Sequence, residues 1–590
     1  MNNNKEYINN NIEKRNLEKN NNSNNIFYAF IIVIISVIFY YILFNWKKRD
    51  KSYIIESNYY YTDANSSLIN TIKKPKANEG YIIGIDFGAI NSGYSYTLKK
   101  DNSDIISKKK SPTEIELSRE SKKGLRFSIV SSVSLMNYRN EELNKINFIR
   151  GIKYLFEPEY KKNIDNNLYF MYPHNFNNDK ANIIHQYFLM LKNNINEEIK
   201  NNKIKWILAI PSTWNQFEKQ IIRNATIESG MINIEYIHES DAGALSFYFD
   251  KYIPDEYKKK NNIFMIVDAG GYSIDITIYQ IIDNDGTMKQ IINTESYKLG
   301  NLNIIDKIIK IFEDIFGKTK IDNVKNNNPG EWVKTLNDIN NAIENINYID
   351  GMEVFEITGR FGNKNSYYDY ENNKKYRITY DKFNINFPGS LIGKLIFENV
   401  NIIKAKMGEI IQSMKLKKIK LNSIIIMGGF SQNKIFQNEI ETNFENVKYL
   451  SSYYSVISKG SVLYGIHPNM IKSRISPITI GVGYSNNEKN EIILLARKGE
   501  EMKNHLLLKI IKLHEKEVDY ININIFISND YFKNFEELEK KIAGKIVLKL
   551  DKDNKSDIQL RIIYETIISF SCNYENGKDI DANFIFYHLN

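Results

Sequence analysis

Residues 82–98 read IIGIDFGAINSGYSYTL: a nearly unbroken apolar run meets Asp86, passes a glycine-bracketed turn and returns as an alternating run. Residues 264–281, FMIVDAGGYSIDITIYQI, repeat the pattern around Asp268. An unbroken apolar run reads as a strand buried on both faces, and alternation as a half-buried strand. Each stretch therefore predicts a hairpin that carries a carboxylate at the end of a sheet. WILAIPSTW (206–214) predicts a buried strand that stops at Pro211, and NQFEKQIIRNATIESG (215–230) a helix with a glycine stop. IEYIHESDAGALSFYF (234–249) predicts a strand feeding a helix, and LNSIIIMGGFSQNKIFQNEI (421–440) a strand, a glycine turn and a helix. This alternation is that of an α/β body with helices over sheets. Beyond residue 483 only short strand-like runs remain, among them IILLARKGEE, ININIFISN and KIVLKLDKDN, so 484–590 is expected to be a small β-rich module. The polar stretches 101–123 and 361–376 are expected to be loops.

The pattern before residue 80 is different. Residues 1–25 are rich in asparagine and are expected to be disordered. Ile26–Phe44, IFYAFIIVIISVIFYYILF, carries no charge. About 19 residues in a helix reach across a hydrocarbon layer of roughly 30 Å. Tyrosines and Trp46 stand near its ends, as interfacial aromatics do, and no small-residue cleavage site follows. The expectation is one transmembrane helix and a tether over 45–79. The cluster Lys47, Lys48, Arg49 and Lys51 favours a single-pass membrane protein whose main body is cytosolic, with a lumenal body as the alternative.

Composition narrows the classes. The chain has 590 residues, 42% hydrophobic and 25% charged, enough for several domains. The net charge is +9, but the lysines are scattered among asparagines and form no basic stripe interleaved with aromatics, so no nucleic-acid partner is expected. The one cysteine, Cys572, excludes a disulfide within the chain, argues against a Cys/His metal cluster, and reads as a buried spectator.

The candidate chemistry lies in the two hairpins. A strand ending in Asp-x-Gly sets a carboxylate at the sheet edge, and the glycine turn lets backbone N–H groups approach an anion. Mg²⁺ bound with phosphates takes one or two protein carboxylates, water and phosphate oxygens. Two facing hairpins meet that demand, and a duplicated unit closing on one nucleotide explains why the motif occurs twice. A third element, MGGFSQN (Met427–Asn433), sets a glycine pair between a strand and a helix start. There a flat base or ribose can lie against backbone, with the helix N-terminus near phosphate.

The order of Asp86-Phe87-Gly88, PSTWNQFEKQIIRNATIESG, HESDAGAL, DAGGYSID and IIIMGGFSQNKIFQ resembles the actin-like ATPase superfamily, and within it the seventy-kilodalton heat-shock family. The stretches DFG…SGY, GGFS…FQ and ISKGSVLYGIHPNMIKSRISPITIGVG (457–483) are similar to that family's divergent heat shock 70 kDa protein 12-like branch. The resemblance covers residues 81–483 and extends to the β-rich tail. It implies a two-lobed actin-like (ribonuclease H-like) fold, with lobe I over 80–260 and lobe II, with the return to lobe I, over 261–483.

Site roles follow from the resemblance. Asp86 would hold Mg²⁺ through water, and Gly88, Ala89 and Ile90 would wrap the phosphates through their backbone. Asp268 would be the second carboxylate near the metal and the attacking water. Gly270, Gly271, Tyr272 and Ser273 would form the opposing phosphate loop. Glu239 would orient water, and Lys153 would reach the γ-phosphate. Gly428, Gly429 and Phe430 would lie against the adenosine, and Gly300 would approach the ribose or phosphate. ATP and Mg²⁺ are the implied cofactors, ADP the product, and an unidentified protein partner or client the reader of lobe closure.

The chain also departs from the family pattern. Ala89 and Ile90 stand where hydroxyl residues are usual, Tyr272 and Asn301 where glycines are usual, and no lysine occurs over 335–350, where a helix carrying Glu and Lys against adenine is expected. The family's longer peptide-binding half also has no counterpart in the tail. The leading expectation is a slow, chaperone-like ATPase; a pseudo-ATPase scaffold and a small-molecule kinase of the same superfamily are the alternatives.

Overall fold

The computed structural model describes residues 80–98, 105–120, 124–128, 146–153, 180–200, 203–362, 365–451, 454–486, 489–503, 507–510, 520–528, 542–551, 558–564, 566–577 and 580–586. All of these belong to one compact unit, Asn70–Asn590. The expected disordered tail, membrane helix Ile26–Phe44 and tether lie outside the described residues. The expectation of a single-pass membrane protein is corrected: among the described residues no helix is long and apolar enough to cross a membrane.

The first sheet grows from β1 (Tyr81–Asp86), β2 (Asn91–Thr97), β3 (Ile204–Ile210) and β4 (Ile234–His238). The order is Ile106–Ser107, β2, β1, β3, β4. β2 is antiparallel to β1, and β3 and β4 are parallel to it and to each other. The second sheet uses β5 (Ile263–Ala269), β6 (Ile274–Ile281), β7 (Met288–Tyr297), β8 (Ser423–Met427) and β9 (Ile471–Ile475). Its order is Val447–Tyr449, β8, β5, β6, β7, β9, Glu501–Lys503. The two sheets repeat one plan: an acidic strand with an antiparallel partner on one side and a parallel strand on the other. The central parallel strands are apolar because both faces are covered: the last five residues of β3 and all of β8 are buried.

Helices pack over these sheets. Asn215 caps α1 (Gln216–Glu228), accepting from the Glu218 N–H while the Glu218 carboxylate accepts from the Asn215 N–H. Helix α2 (Glu239–Phe249) starts directly at the end of β4. Then follow α3 (Asn301–Phe316), α4 (Pro329–Asn345), α5 (Lys434–Asn443) and α6 (Val456–Ile466). Helix α6 returns to the first sheet, where the Ser458 hydroxyl meets that of Ser95 at 2.8 Å.

Apart from Glu501–Lys503, which edges the second sheet, the described strands from Thr479 onward form a five-stranded and a three-stranded sheet. Ile523, Ile525, Ile546 and Leu548 of the first share a core with Leu560, Phe570 and Cys572 of the second. Burial pushes the Cys572 thiol up to about 12, which fits an inert core residue. Two stretches expected to be loops carry strands instead: Ser111–Pro112 and Glu114–Glu120 in the first, Ser366–Asp369 in the second. Ser111–Pro112 pairs with β2, Glu114–Glu120 with two neighbours and Ser366–Asp369 with Arg377–Tyr380. Backbone pairing there outweighs the polar composition.

Candidate functional site

β1 ends at Asp86 and β5 brings Asp268 to its penultimate position, so both carboxylates stand at the end of their sheets. Asp275 of β6 is the cross-strand partner of Asp268, and Glu239 opens α2. These four carboxylates and two lysines form one electrostatic cluster. Lys110 is ion-paired with Asp86, and the Lys153 ammonium donates to Glu239 Oε1 at 2.7 Å. Burial, with Glu239, Asp275 and Asp86 nearby, pushes the Asp268 carboxyl up to about 8, against the pull of Lys110. Burial also raises Asp275, while the Ser273 hydroxyl, which donates to Asp275 Oδ2 at 2.8 Å, opposes it. For Glu239, burial and Asp86 outweigh Lys153, and its carboxyl is raised. Burial works against the Lys153 charge, and Glu239, Asp86 and Asp275 more than offset it.

The loops after the two acidic strands touch. The Ile90 side chain fills the space where a Cβ on Gly271 would stand, with Ile90 Cγ1 2.9 Å from that position. The second loop is tied to the start of α3: Gly300 N–H donates to the Tyr272 carbonyl at 3.1 Å and Leu302 N–H to that of Gly271 at 2.9 Å. A Cβ on Gly300 would stand 2.5 Å from the Gly270 carbonyl oxygen. Gly300 thus meets the loop backbone. Gly428 has φ +91°, and a Cβ there would lie 2.5 Å from Asp268 Oδ1. Only glycine takes both that backbone and that approach without strain. Around the Cβ position of Gly429 no atom beyond its chain neighbours lies within 4 Å, so the next residue of the turn has an open face.

Several side chains of the expected site pack inward. The Phe430 side chain is 1% exposed and packs on Phe436, so it belongs to the core and not to a ligand face. Ala89, Ile90 and Tyr272 are partly buried and pack on that same core. Tyr272 lies outside the described non-glycine residues of positive φ, so it needs no left-handed backbone. Its ring packs on the core with the Lys298 ammonium 5.6 Å from its centroid, so its side chain has a structural partner. Asn301 is buried, with its side-chain oxygen unpaired. The stretch 335–350, where an adenine-side helix is expected, holds the end of α4. Asn433, at the cap of α5, ties that end by donating to the Ile343 carbonyl at 2.9 Å.

Two residues escape the sequence reading. Asp275 leaves a signal, the one acid in the alternating return run IDITIYQI. Lys110 leaves none, because it sits in the run Lys108–Lys110 of a chain full of lysines.

The cluster fits a divalent cation held with phosphates. With all six groups ionised, four carboxylates face two lysines. Asp275 Oδ1 is buried with no hydrogen-bond partner. Among the described residues no three His, Cys, Asp or Glu converge closely enough to enclose a metal. One or two carboxylates completed by water and phosphate oxygens remain, the coordination Mg²⁺ favours.

The duplicated acidic hairpins and the mixed α/β layers are consistent with an actin-like, heat shock 70-type fold. Sequence comparison gives the branch: the chain is 23% identical over 502 aligned residues to heat shock 70 kDa protein 12A of Mus musculus, covering 69% of this chain and 72% of the relative. Identity to the Homo sapiens protein of that name is 22% over the same coverage. Chaperone protein DnaK of Carsonella ruddii (strain PV) is 25% identical over 315 residues, 51% of this chain and 47% of that protein. No protein-family profile matches the chain. The chain is homologous to the heat shock 70 kDa proteins and falls with their 12A-like branch.

Proposed function

We propose that this chain binds ATP with a divalent cation between the two acidic hairpins, hydrolyses it slowly to ADP and phosphate, and passes the resulting lobe movement to a protein partner or client. The observation that carries the reading is the meeting of Asp86, Glu239, Asp268 and Asp275 beside the Gly428–Gly429 turn. A bound Mg²⁺ supplies charge neutralisation and orients phosphate oxygens. Asp86 and Asp268 would be the carboxylates that hold it. The backbones of Gly88–Ile90 and Gly270–Ser273 face the phosphates from opposite sheets. Lys153, fixed by Glu239, keeps its charge for the transferring phosphoryl group, and Asp268 orients the attacking water. Phosphoryl transfer to water asks for this positioning and charge more than for a covalent partner. The Ser246 hydroxyl of α2, which donates to the Val456 carbonyl of α6 at 2.6 Å, and the Gln216 side chain, which accepts from Ile568 N–H at 3.2 Å, offer a route to the β-rich tail.

A second reading is a scaffold that holds nucleotide without turnover. The loss of hydroxyls at Ala89 and Ile90 favours it, because backbone N–H groups remain while side-chain contacts to phosphate do not. Phosphate release by the full chain from ATP separates the two. Turnover that falls at least 100-fold in Glu239→Gln supports the ATPase, and a rate unchanged by that substitution supports the scaffold.

A further inference from the structure

The ammonium on Asp86 belongs to no element of the duplicated plan. Lys110 lies on a strap, residues 108–113, that crosses the first phosphate loop and is fixed at both ends. Lys108 N–H donates to the Tyr94 carbonyl at 3.0 Å, and Thr113 N–H to that of Ile90 at 2.8 Å. The Thr113 hydroxyl donates to the Gly88 carbonyl at 2.8 Å and meets that of Ser92 at 2.7 Å. Ser111 and Pro112 pair with Ser92 and Asn91 of β2. The lysine stem runs over Gly93, with its Cγ 2.8 Å from where a Cβ would stand, so only a glycine leaves that path open. The side chain is one-quarter exposed and the Asp86 side chain 5%. The other lysine of the cluster, Lys153, is held by Glu239. The backbone therefore delivers one further cation to the carboxylate that stands nearest the first phosphate loop.

We propose that Lys110 is a built-in counterion of the nucleotide site: it neutralises Asp86 where a divalent cation would otherwise be needed, and meets the phosphates when nucleotide enters, so that ATP binding depends only weakly on Mg²⁺. The inference rests on the nucleotide-binding reading above. An ammonium is a compact point charge that serves phosphate directly and needs no fixed coordination geometry, whereas Mg²⁺ demands an octahedron and dehydrates reluctantly. Its three N–H donors let it keep Asp86 while it reaches a phosphate oxygen, without movement of the strap.

The test is calorimetric titration of the full chain with ATP, once with excess EDTA and once with millimolar MgCl₂, for the wild type, Lys110→Met and Lys110→Arg. The wild type is expected to lose less than tenfold in affinity when Mg²⁺ is withdrawn. Lys110→Met loses at least a further tenfold in EDTA and little in MgCl₂, while Lys110→Arg follows the wild type. A second readout needs no nucleotide: MgCl₂ alone raises the thermal midpoint of Lys110→Met, where Asp86 has lost its partner, more than that of the wild type. Wild-type binding that needs Mg²⁺ fully, with the same dependence in Lys110→Met, overturns the role of Lys110 and leaves the nucleotide site standing. Absence of ATP binding by the wild type in both media overturns both.

Discussion

Asp268→Asn should stabilise the nucleotide-free chain, although it removes a residue placed at the centre of the site. Burial, with Glu239, Asp275 and Asp86 beside it, pushes the Asp268 carboxyl up to about 8. The folded-state value thus lies above that of the unfolded chain. Between about pH 4 and pH 8 the folded state holds a proton that the unfolded state has released, so stability falls as pH rises through that window. A tenfold change in proton affinity corresponds to about 1.4 kcal/mol, and the neighbouring acids share protons with Asp268, so the expected net gain at pH 8 is on the order of 2–4 kcal/mol. Asparagine keeps the shape and carries no charge at any pH. Thermal unfolding of the full chain in EDTA, measured from pH 5 to pH 8.5, should show a higher midpoint for Asp268→Asn at pH 8 and a difference that shrinks toward pH 5. Added Mg²⁺ should narrow the gap by stabilising the wild type. A destabilised variant, or a difference independent of pH, would refute the claim that uncompensated negative charge is concentrated there.

Two further substitutions test the frame. Arg474 Nε donates to Asp241 Oδ2 at 2.6 Å in a fully buried setting that also includes the Tyr279 hydroxyl and His238, whose imidazole burial drives down to about 4. Arg474→Met should cost about 3–5 kcal/mol in urea unfolding by stranding Asp241, and adding Asp241→Asn should recover a large part of it. Gly428→Ala forces a β-carbon onto a left-handed backbone 2.5 Å from Asp268 Oδ1 and should cost more than about 1 kcal/mol, while Gly429→Ala, with open space around it, should leave the urea midpoint nearly unchanged.

The hydrophobic pattern made the two hairpins, β3, β8 and the strand-to-helix joints legible because buried parallel strands and amphipathic helices leave strong periodic signals. Asp86, Asp268, Glu239 and the glycine turns were legible because each stands where such a pattern breaks. Lys110 was not, since what places it is a strap paired to β2 across the loop after β1, a tertiary contact with no local signature. The strands at Glu114–Glu120 and Ser366–Asp369 were missed for the same reason: pairing, not hydrophobicity, makes them. Phe430 was misread because its place beside two glycines says nothing of its side chain, which the packing of α5 draws into the core.

In the proposed reading one nucleotide lies between the two acidic hairpins against the Gly428–Gly429 turn. The most direct test is the thermal midpoint of the full chain with and without millimolar Mg²⁺ and ATP, alongside Gly429→Val, which fills the open face without touching a carboxylate. The wild type is expected to show a saturable rise, equivalent to about 2.7 kcal/mol at a hundredfold excess over Kd. In Gly429→Val, whose midpoint without ligand is unchanged, that rise is largely lost. No shift of the wild type at millimolar ATP, or the same shift in both proteins, would contradict it.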